Sequence, residues 1–266
     1  MYNSKRALSV IFVVLFAAVM VCGEVKLPSI IDNGMVLQHD SSVTIWGWAE
    51  PGEKVSVKGS WGFEAVEATA DKDGEWEVMI ETPGVGGPHA LTVKGENEII
   101  VENVLMGEVW LCSGQSNMRF MLEKCETGEE EIAKADYPEI RLFKVANTAA
   151  DEPREDCEAE WEVCSPANVN DFSGVGYFFG KNLHEELGVP VGLIQSTWGG
   201  TPAESWTSRE ALAEDEDLKV ILEKYGENAK DYKKKVDYHY GVVMKNWKKL
   251  CEKARKEGKQ APIWPA

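Results

Sequence analysis

Two hydrophobic periodicities divide the chain. In the first hundred residues the apolar positions fall in short β-rich runs: Val43-Thr44-Ile45-Trp46, Lys54-Val55-Ser56-Val57, Glu75-Trp76-Glu77-Val78-Met79-Ile80, His89-Ala90-Leu91-Thr92-Val93 and Ile99-Ile100-Val101. Pro51-Gly52, Asp73-Gly74, the stretch Pro83 to Pro88 and Gly95-Glu96-Asn97 punctuate them as turns. Such regular spacing predicts a small β-sandwich over residues 24–103. Its tryptophans, Trp46, Trp48, Trp61 and Trp76, read as core or interface residues, with a sugar-stacking platform as the alternative.

The pattern changes near Val104. Val109 to Cys112 reads as a buried strand, broken by Ser113-Gly114 before a new segment begins at Ser116. Met118 to Leu122 reads as helix, the run Glu129-Glu130-Glu131 as solvated surface, and Ile140 to Val145 as the second strand. Ser173 then caps a helix in which Val175, Phe179, Leu183 and Leu187 recur every four residues, with Gly188 ending it, and Val189 to Gln195 is the next strand. Strand, helix, strand in this order implies right-handed parallel crossovers and a three-layer α/β sheet over 104–266. From about Ser208 the chain is helical. Val236, Tyr240, Val243, Met244, Trp247, Leu250, Cys251 and Ala254 recur at threes and fours against a lysine-rich face, which reads as a helical insertion with its lysines in water.

Chemistry enters at Gly107 to Met118, GEVWLCSGQSNM. A serine on a tight turn between strand and helix suits a nucleophile, because a base can reach its Oγ and unpaired helix N–H groups lie beside it where an oxyanion would form. Gly114 permits close backbone approach, and Gln115 and Asn117 flank the serine. The plainer alternative makes Ser116 only a helix N-cap. The second candidate stretch is Gln195 to Pro202, at the carboxyl end of a predicted strand, where open α/β sheets bind their ligands. Gly199, Gly200 and Thr201 are its candidate oxyanion or substrate-binding residues. Trp198, Glu204 and Trp206 are candidate sugar-pocket residues or simply packing residues, and Ser196 is a rival serine.

GEVWLCSGQSNM, the block FSGVGYFFGKNLHEELGVPVGLI and GLIQSTWGGTPAESWTS, in that order, resemble the sialate O-acetylesterase family of SGNH-type carbohydrate esterases. The resemblance implies that Ser116 is the acyl-accepting nucleophile and that the α/β part is an SGNH-hydrolase-like sheet preceded by a small sandwich. It implies an O-acetylated carbohydrate as substrate, and no cofactor. The family's base is a histidine in an Asp-x-x-His block preceded by a QGES-like block, and neither occurs here. His39, His89, His184 and His239 are the histidines, and none has Asp three residues before it. The resemblance therefore implies an incomplete catalytic sheet, a chain truncated before its base, and feeble activity for these 266 residues. A secreted carbohydrate-binding protein without catalysis is the alternative.

Composition narrows the partners. A net charge of −17, becoming −19 once Lys5 and Arg6 are removed with a leader, repels phosphate backbones and argues against nucleic acid. Lys5 and Arg6 precede the apolar run Ala7 to Val21, short for a membrane span and suited to a signal peptide over 1–23, so a secreted or periplasmic protein without stable membrane insertion is expected. A lipoprotein anchor on Cys22 is the alternative. Of the remaining cysteines, Cys157 and Cys164 are the closest candidates for a bridge, and Cys112 is expected to be a buried free thiol. No C-x-x-C or nearby histidine spacing suggests a metal.

Overall fold

A computed structural model describes residues 23–150, 152–257 and 259–260. Apart from Gly23, the expected signal peptide and the Cys22 anchor lie outside the described residues. Strands β1 (Val36–Gln38), β2 (Ser42–Trp48), β3 (Lys54–Gly59), β4 (Val66–Thr69), β5 (Glu75–Glu81), β6 (Gly86–Lys94) and β7 (Glu98–Gly114) come first. Alternation in β5 is complete: Trp76, Val78 and Ile80 are buried, while the four residues interleaved with them are exposed. β2 and β5 pair antiparallel as a two-stranded sheet. Their apolar residues share one core with Val55 and Val57 of β3, Leu91 and Val93 of β6, and Val101, Val104 and Met106 of β7.

The two strands expected at 99–101 and 109–112 are one strand. β7 never breaks because its backbone is paired throughout: antiparallel to β6 over its first half, parallel to β1 at Leu105–Gly107, and parallel to β10 (Val191–Thr197) from Glu108 to Gly114. It thereby joins an antiparallel region to a parallel one in a single eight-stranded sheet of order β4-β3-β6-β7-β10-β8-β9, with β1 beside β7. β8 (Tyr137–Lys144) lies parallel to β10, and β9 (Trp161–Cys164) closes the edge antiparallel. Consecutive burial of Ile140 to Phe143 and of Val191 to Leu193 is the mark of strands covered on both faces.

Helix α3 (Gly174–Leu187) begins where expected, with Ser173 Oγ accepting from Gly176 N at 3.0 Å, and ends on Gly188 in the left-handed conformation. Its buried face is not the expected stripe. Val175, Phe179 and Leu187 are well exposed, while Gly174, Gly176, Tyr177 and Gly180 are buried. Glycines let the helix approach the sheet so closely that a Cβ on Gly180 would lie 2.6 Å from Leu193 Cδ1, and one on Gly176 would lie 3.0 Å from Cys112 Sγ. Helix α1 (Ser116–Arg119) and α2 (Gly128–Lys134) precede β8. Glu129 and Glu130 of α2 are solvated as expected, but Glu131 accepts hydrogen bonds from Lys181 Nζ (2.7 Å) and the Tyr177 hydroxyl (3.1 Å). That bond from Lys181, with the one from Tyr177, holds the Glu131 carboxyl below its ordinary range.

All five described cysteines are free, so the bridge considered for Cys157 and Cys164 is not formed; Cys164 is instead buried in the core beside Ile140 and Phe172. Residues from Gly200 onward form a second compact unit. It contains α4 (Arg209–Glu214), α5 (Lys219–Tyr238), a π-helical turn at His239–Met244 and α6 (Lys245–Lys256). Ser208 caps α4. Val236, Val243, Met244, Trp247, Cys251 and Ala254 are shielded while the lysines of the opposite face are exposed, but Tyr240 and Leu250 of the expected stripe are exposed, so the shielded face is narrower than the sequence pattern. Among the described residues no helix is long and apolar enough to cross a membrane.

Candidate active site

Parallel pairing of β7 with β10 puts Gly114 directly opposite Thr197. Both strands therefore end at the same edge, and the two candidate stretches emerge side by side. The crossing is tied by Trp198 N donating to Gly114 O at 3.1 Å. Gly114 has φ of 141°, a conformation that L side chains rarely adopt, and this turns the chain out of the strand into α1. Ser116 is the first residue of α1, and the capping position belongs to Gln115, whose side chain makes no cap hydrogen bond. The reading of Ser116 as a helix cap therefore does not apply. Its side chain is exposed, as are Gln115 and Asn117. The backbone N–H groups of Ser116, Asn117 and Met118 open the helix and have no partner within it.

Gly199 is the second residue after β10, and a Cβ built on it would lie 3.7 Å from Ser116 Oγ and 3.6 Å from Arg119 Cδ. Gly199 and Ser116 are thus neighbours, as the strand-end argument expects. Gly200, with φ of 81°, and Thr201 open the second unit, where Thr201 Oγ1 accepts from Trp206 Nε1 at 2.8 Å. The rival Ser196 lies within β10, half-buried and paired opposite Ser113, and not on a turn. Its neighbours Gln195 and Thr197 are buried and bonded to each other, Nε2 to Oγ1 at 2.9 Å, while Gln195 Oε1 accepts from Ser173 N at 2.7 Å. This network ties the floor of the site to the start of α3.

Sequence reasoning missed Arg119 and Asn147. Arg119 stands one turn after Ser116 on α1, and i to i+3 spacing was the available signal. Asn147 follows β8 and had none. Its amide donates to Thr197 O at 2.8 Å and accepts from Arg119 Nη1 at 2.5 Å in the orientation that matches donors to acceptors. Arg119 and Asn147 border a groove of about 600 Å³ that also takes in Lys144, Glu160 and Glu162. Lys144 pairs with Asp171. Burial first, then Glu160 and Asp171, raises Glu162 above the ordinary carboxylate range.

Three of the four histidines are committed elsewhere in the first unit. His39 bonds Asp40 and Glu108 at the start of the parallel part of β7; His89 packs edge-on against Trp61; His184 Nδ1 bonds the Val189 carbonyl at 2.8 Å. His239 lies in the second unit, against Tyr240. Among the described residues no cluster of three or more His, Cys, Asp or Glu is arranged to hold a metal ion.

A carbohydrate acetylesterase of known structure from Xanthomonas citri superimposes with a TM-score of 0.68 at 36% identity, covering 71% of this chain and 44% of that one. The mixed sheet, with its two loops at one strand edge, is accordingly a carbohydrate esterase fold. Sialate O-acetylesterases of Rattus norvegicus and Homo sapiens are 35% and 34% identical over 206 residues, or 70% of this chain. The family described as carbohydrate esterase, sialic acid-specific acetylesterase, matches residues 106–255, and the chain belongs to it. The matched part spans only 38% and 39% of the rat and human proteins' own lengths.

Proposed function

We propose that this protein is a serine carbohydrate O-acetylesterase that removes acetyl groups from sugars such as sialic acids. The observation that carries the reading is the pairing of an exposed serine at the start of α1 with Gly199 beside its Oγ. Ser116 Oγ attacks the acetyl carbonyl carbon, the C–O bond to the sugar breaks, and the acetyl-serine is then hydrolysed to acetate. Backbone N–H groups at Ser116 and at the Gly199 loop hold the oxyanion. Roles at the oxyanion or substrate for Gly114, Gln115, Asn117, Gly200 and Thr201 rest on the family resemblance of the two blocks. The general base is a histidine outside these 266 residues, since none here stands in an Asp-x-x-His block. On strand spacing and the family resemblance residues 24–103 are a small β-sandwich and residues 104–266 the first part of an SGNH-type catalytic domain, and on Lys5, Arg6 and the short apolar run after them the leader 1–23 directs export.

The test is acetate release from O-acetylated sialic acid by the full gene product, native and Ser116→Ala. The expected result is a rate loss of at least about a thousandfold with folding unchanged, the scale on which serine nucleophiles act. An unchanged rate refutes the assignment of Ser116.

A further inference from the structure

β7, β10 and β8 run parallel and adjacent, so the segments leaving their carboxyl ends lie along one edge in the order Ser116, Gly199, Asn147. β9 is antiparallel to β8, with Trp161 opposite Phe143, so Glu160 and Glu162 at its start stand at the same edge. Neighbouring strands are ~4.8 Å apart, which puts the end of β8 roughly 10 Å from the end of β7 and the start of β9 one strand further on. Open parallel sheets bind ligands along such an edge, and the groove of about 600 Å³ between Arg119, Asn147, Glu160 and Glu162 lies within the ~300–1,000 Å³ of small-molecule sites. With Ser116 as the nucleophile, the reading on which this assignment rests, the sugar that carries the acetyl group extends into the groove.

The groove is polarised. Arg119 leaves α1 one turn after Ser116, passes Gly199, where its Cδ would lie 3.6 Å from an added Cβ, and donates through Nη1 to the Asn147 amide oxygen at 2.5 Å. Asn147 donates in turn to Thr197 O at 2.8 Å, which fixes the guanidinium over the ends of β10 and β8. Its acceptor is a neutral amide, so the charge is oriented without being cancelled. Among the described residues the half-buried Arg119 makes no ion pair, although acidic residues outnumber lysine and arginine 45 to 28 in the chain. Lys144, the other cation of the groove, pairs with Asp171. A guanidinium has five N–H donors in a planar fork that matches a carboxylate, and the bond to Asn147 occupies one of them. At the far end stand the carboxylates of Glu160 and Glu162. A cation is repelled beside the serine, and a neutral sugar leaves the charge of Arg119 uncompensated. A sugar with one carboxylate fits in a single direction, its anion on Arg119 and its hydroxyl donors toward Glu160 and Glu162.

We infer that Arg119, held in place by Asn147, binds the carboxylate of an acidic sugar and so selects acetylated sugar acids over neutral acetylated sugars. Arg119 touches the substrate; Asn147 acts through it and is a positioning residue.

The experiment is calorimetric titration of the full gene product, carrying Ser116→Ala, with the methyl glycoside of N-acetylneuraminic acid and with its C1 carboxamide, a ligand of nearly the same size without the charge. The carboxylate form should bind about tenfold or more tighter, the scale of a hydrogen bond to a charged group. That ratio should fall to about one in Arg119→Gln, and also in Asn147→Asp, which sets a carboxylate on the guanidinium and cancels its charge. In the protein that retains Ser116, Arg119→Gln should raise KM for O-acetylated N-acetylneuraminic acid about tenfold or more while kcat, and KM for the acetylated carboxamide, change by less than about twofold. Equal affinity for the two ligands, no binding by either, a ratio that persists in Arg119→Gln, or a fall in kcat on both substrates overturns the proposal, the last because it moves Arg119 from the sugar to the acetyl group. The carboxamide comparison needs no change at Arg119, so it decides even where a variant fails to fold. Failure of Ser116 as nucleophile shows in the rate of Ser116→Ala, and failure of the carboxylate site shows in the binding ratio, which needs no turnover.

Discussion

Helix α3 docks on β10 through glycine, and Gly180→Ala tests whether that close approach matters. Helix propensity alone makes the substitution favourable by about 1 kcal/mol. Against it, the new methyl would meet Leu193 Cδ1 at 2.6 Å, Cδ2 at 3.0 Å and Cγ at 3.1 Å, and Leu193 is fully buried, with no solvent to turn into. Overpacking of this kind costs about 1–3 kcal/mol, so the net effect is a loss of about 0–2 kcal/mol. Gly226 in α5 is the control, since a Cβ there meets nothing within 4 Å and should bring the full gain in propensity. Urea denaturation followed by far-ultraviolet circular dichroism should therefore separate the two variants by about 1–3 kcal/mol in opposite directions. Leu193→Ala alone should cost about 2–5 kcal/mol by emptying the core, and the double variant less than the sum, with a favourable coupling of about 0.5–3 kcal/mol. If Gly180→Ala stabilises as much as Gly226→Ala, the close docking of α3 is not a constraint and the reasoning fails.

Gly114→Ala forces an alanine to φ of 141° while its Cβ meets only Met118 Cβ at an ordinary 3.6 Å, so the cost is backbone strain of about 1–3 kcal/mol; an unchanged urea midpoint would contradict it. Burial pushes the Cys164 thiol up to about 12, so mass-spectrometric mapping of iodoacetamide labelling should show Cys164 modified only after unfolding, and native labelling would show that the strand edge opens. Hydrogen bonding to Asp40, with Glu108, raises the His39 imidazolium above its ordinary 6.5. A raised folded value means that its contribution to stability is complete below 6.5 and is lost as pH rises through the folded pKa. Stability should therefore decline as pH rises from 6.5 through the raised folded value, by an amount that His39→Gln abolishes; proton NMR of the His39 ring titrating below 6.5 would refute the clamp.

Much of this was legible along the chain, and the remainder depends on packing. The strand runs of the first hundred residues, the Ser173 cap and the Gly188 stop of α3 were read from the sequence because each follows from local chemistry: β-branched and aromatic residues between turn formers, a hydroxyl before a helix, and a glycine after it. The serine turn and the glycine loop were also legible, since strand, helix, strand order fixes parallel pairing and brings both loops to one edge. What the tertiary structure decided is which faces are buried and what lies between distant segments. The apolar stripe of α3 lost the core to Gly176 and Gly180, because close approach to Leu193 and Cys112 needs the absence of side chains, which apolar counting does not register. β7 runs unbroken through the apparent boundary because β6, β1 and β10 pair with its successive parts. Asn147 reaches Arg119, and Glu155 reaches Trp48, across 28 and 107 positions of sequence, contacts that no local pattern encodes and only the folded chain can bring together.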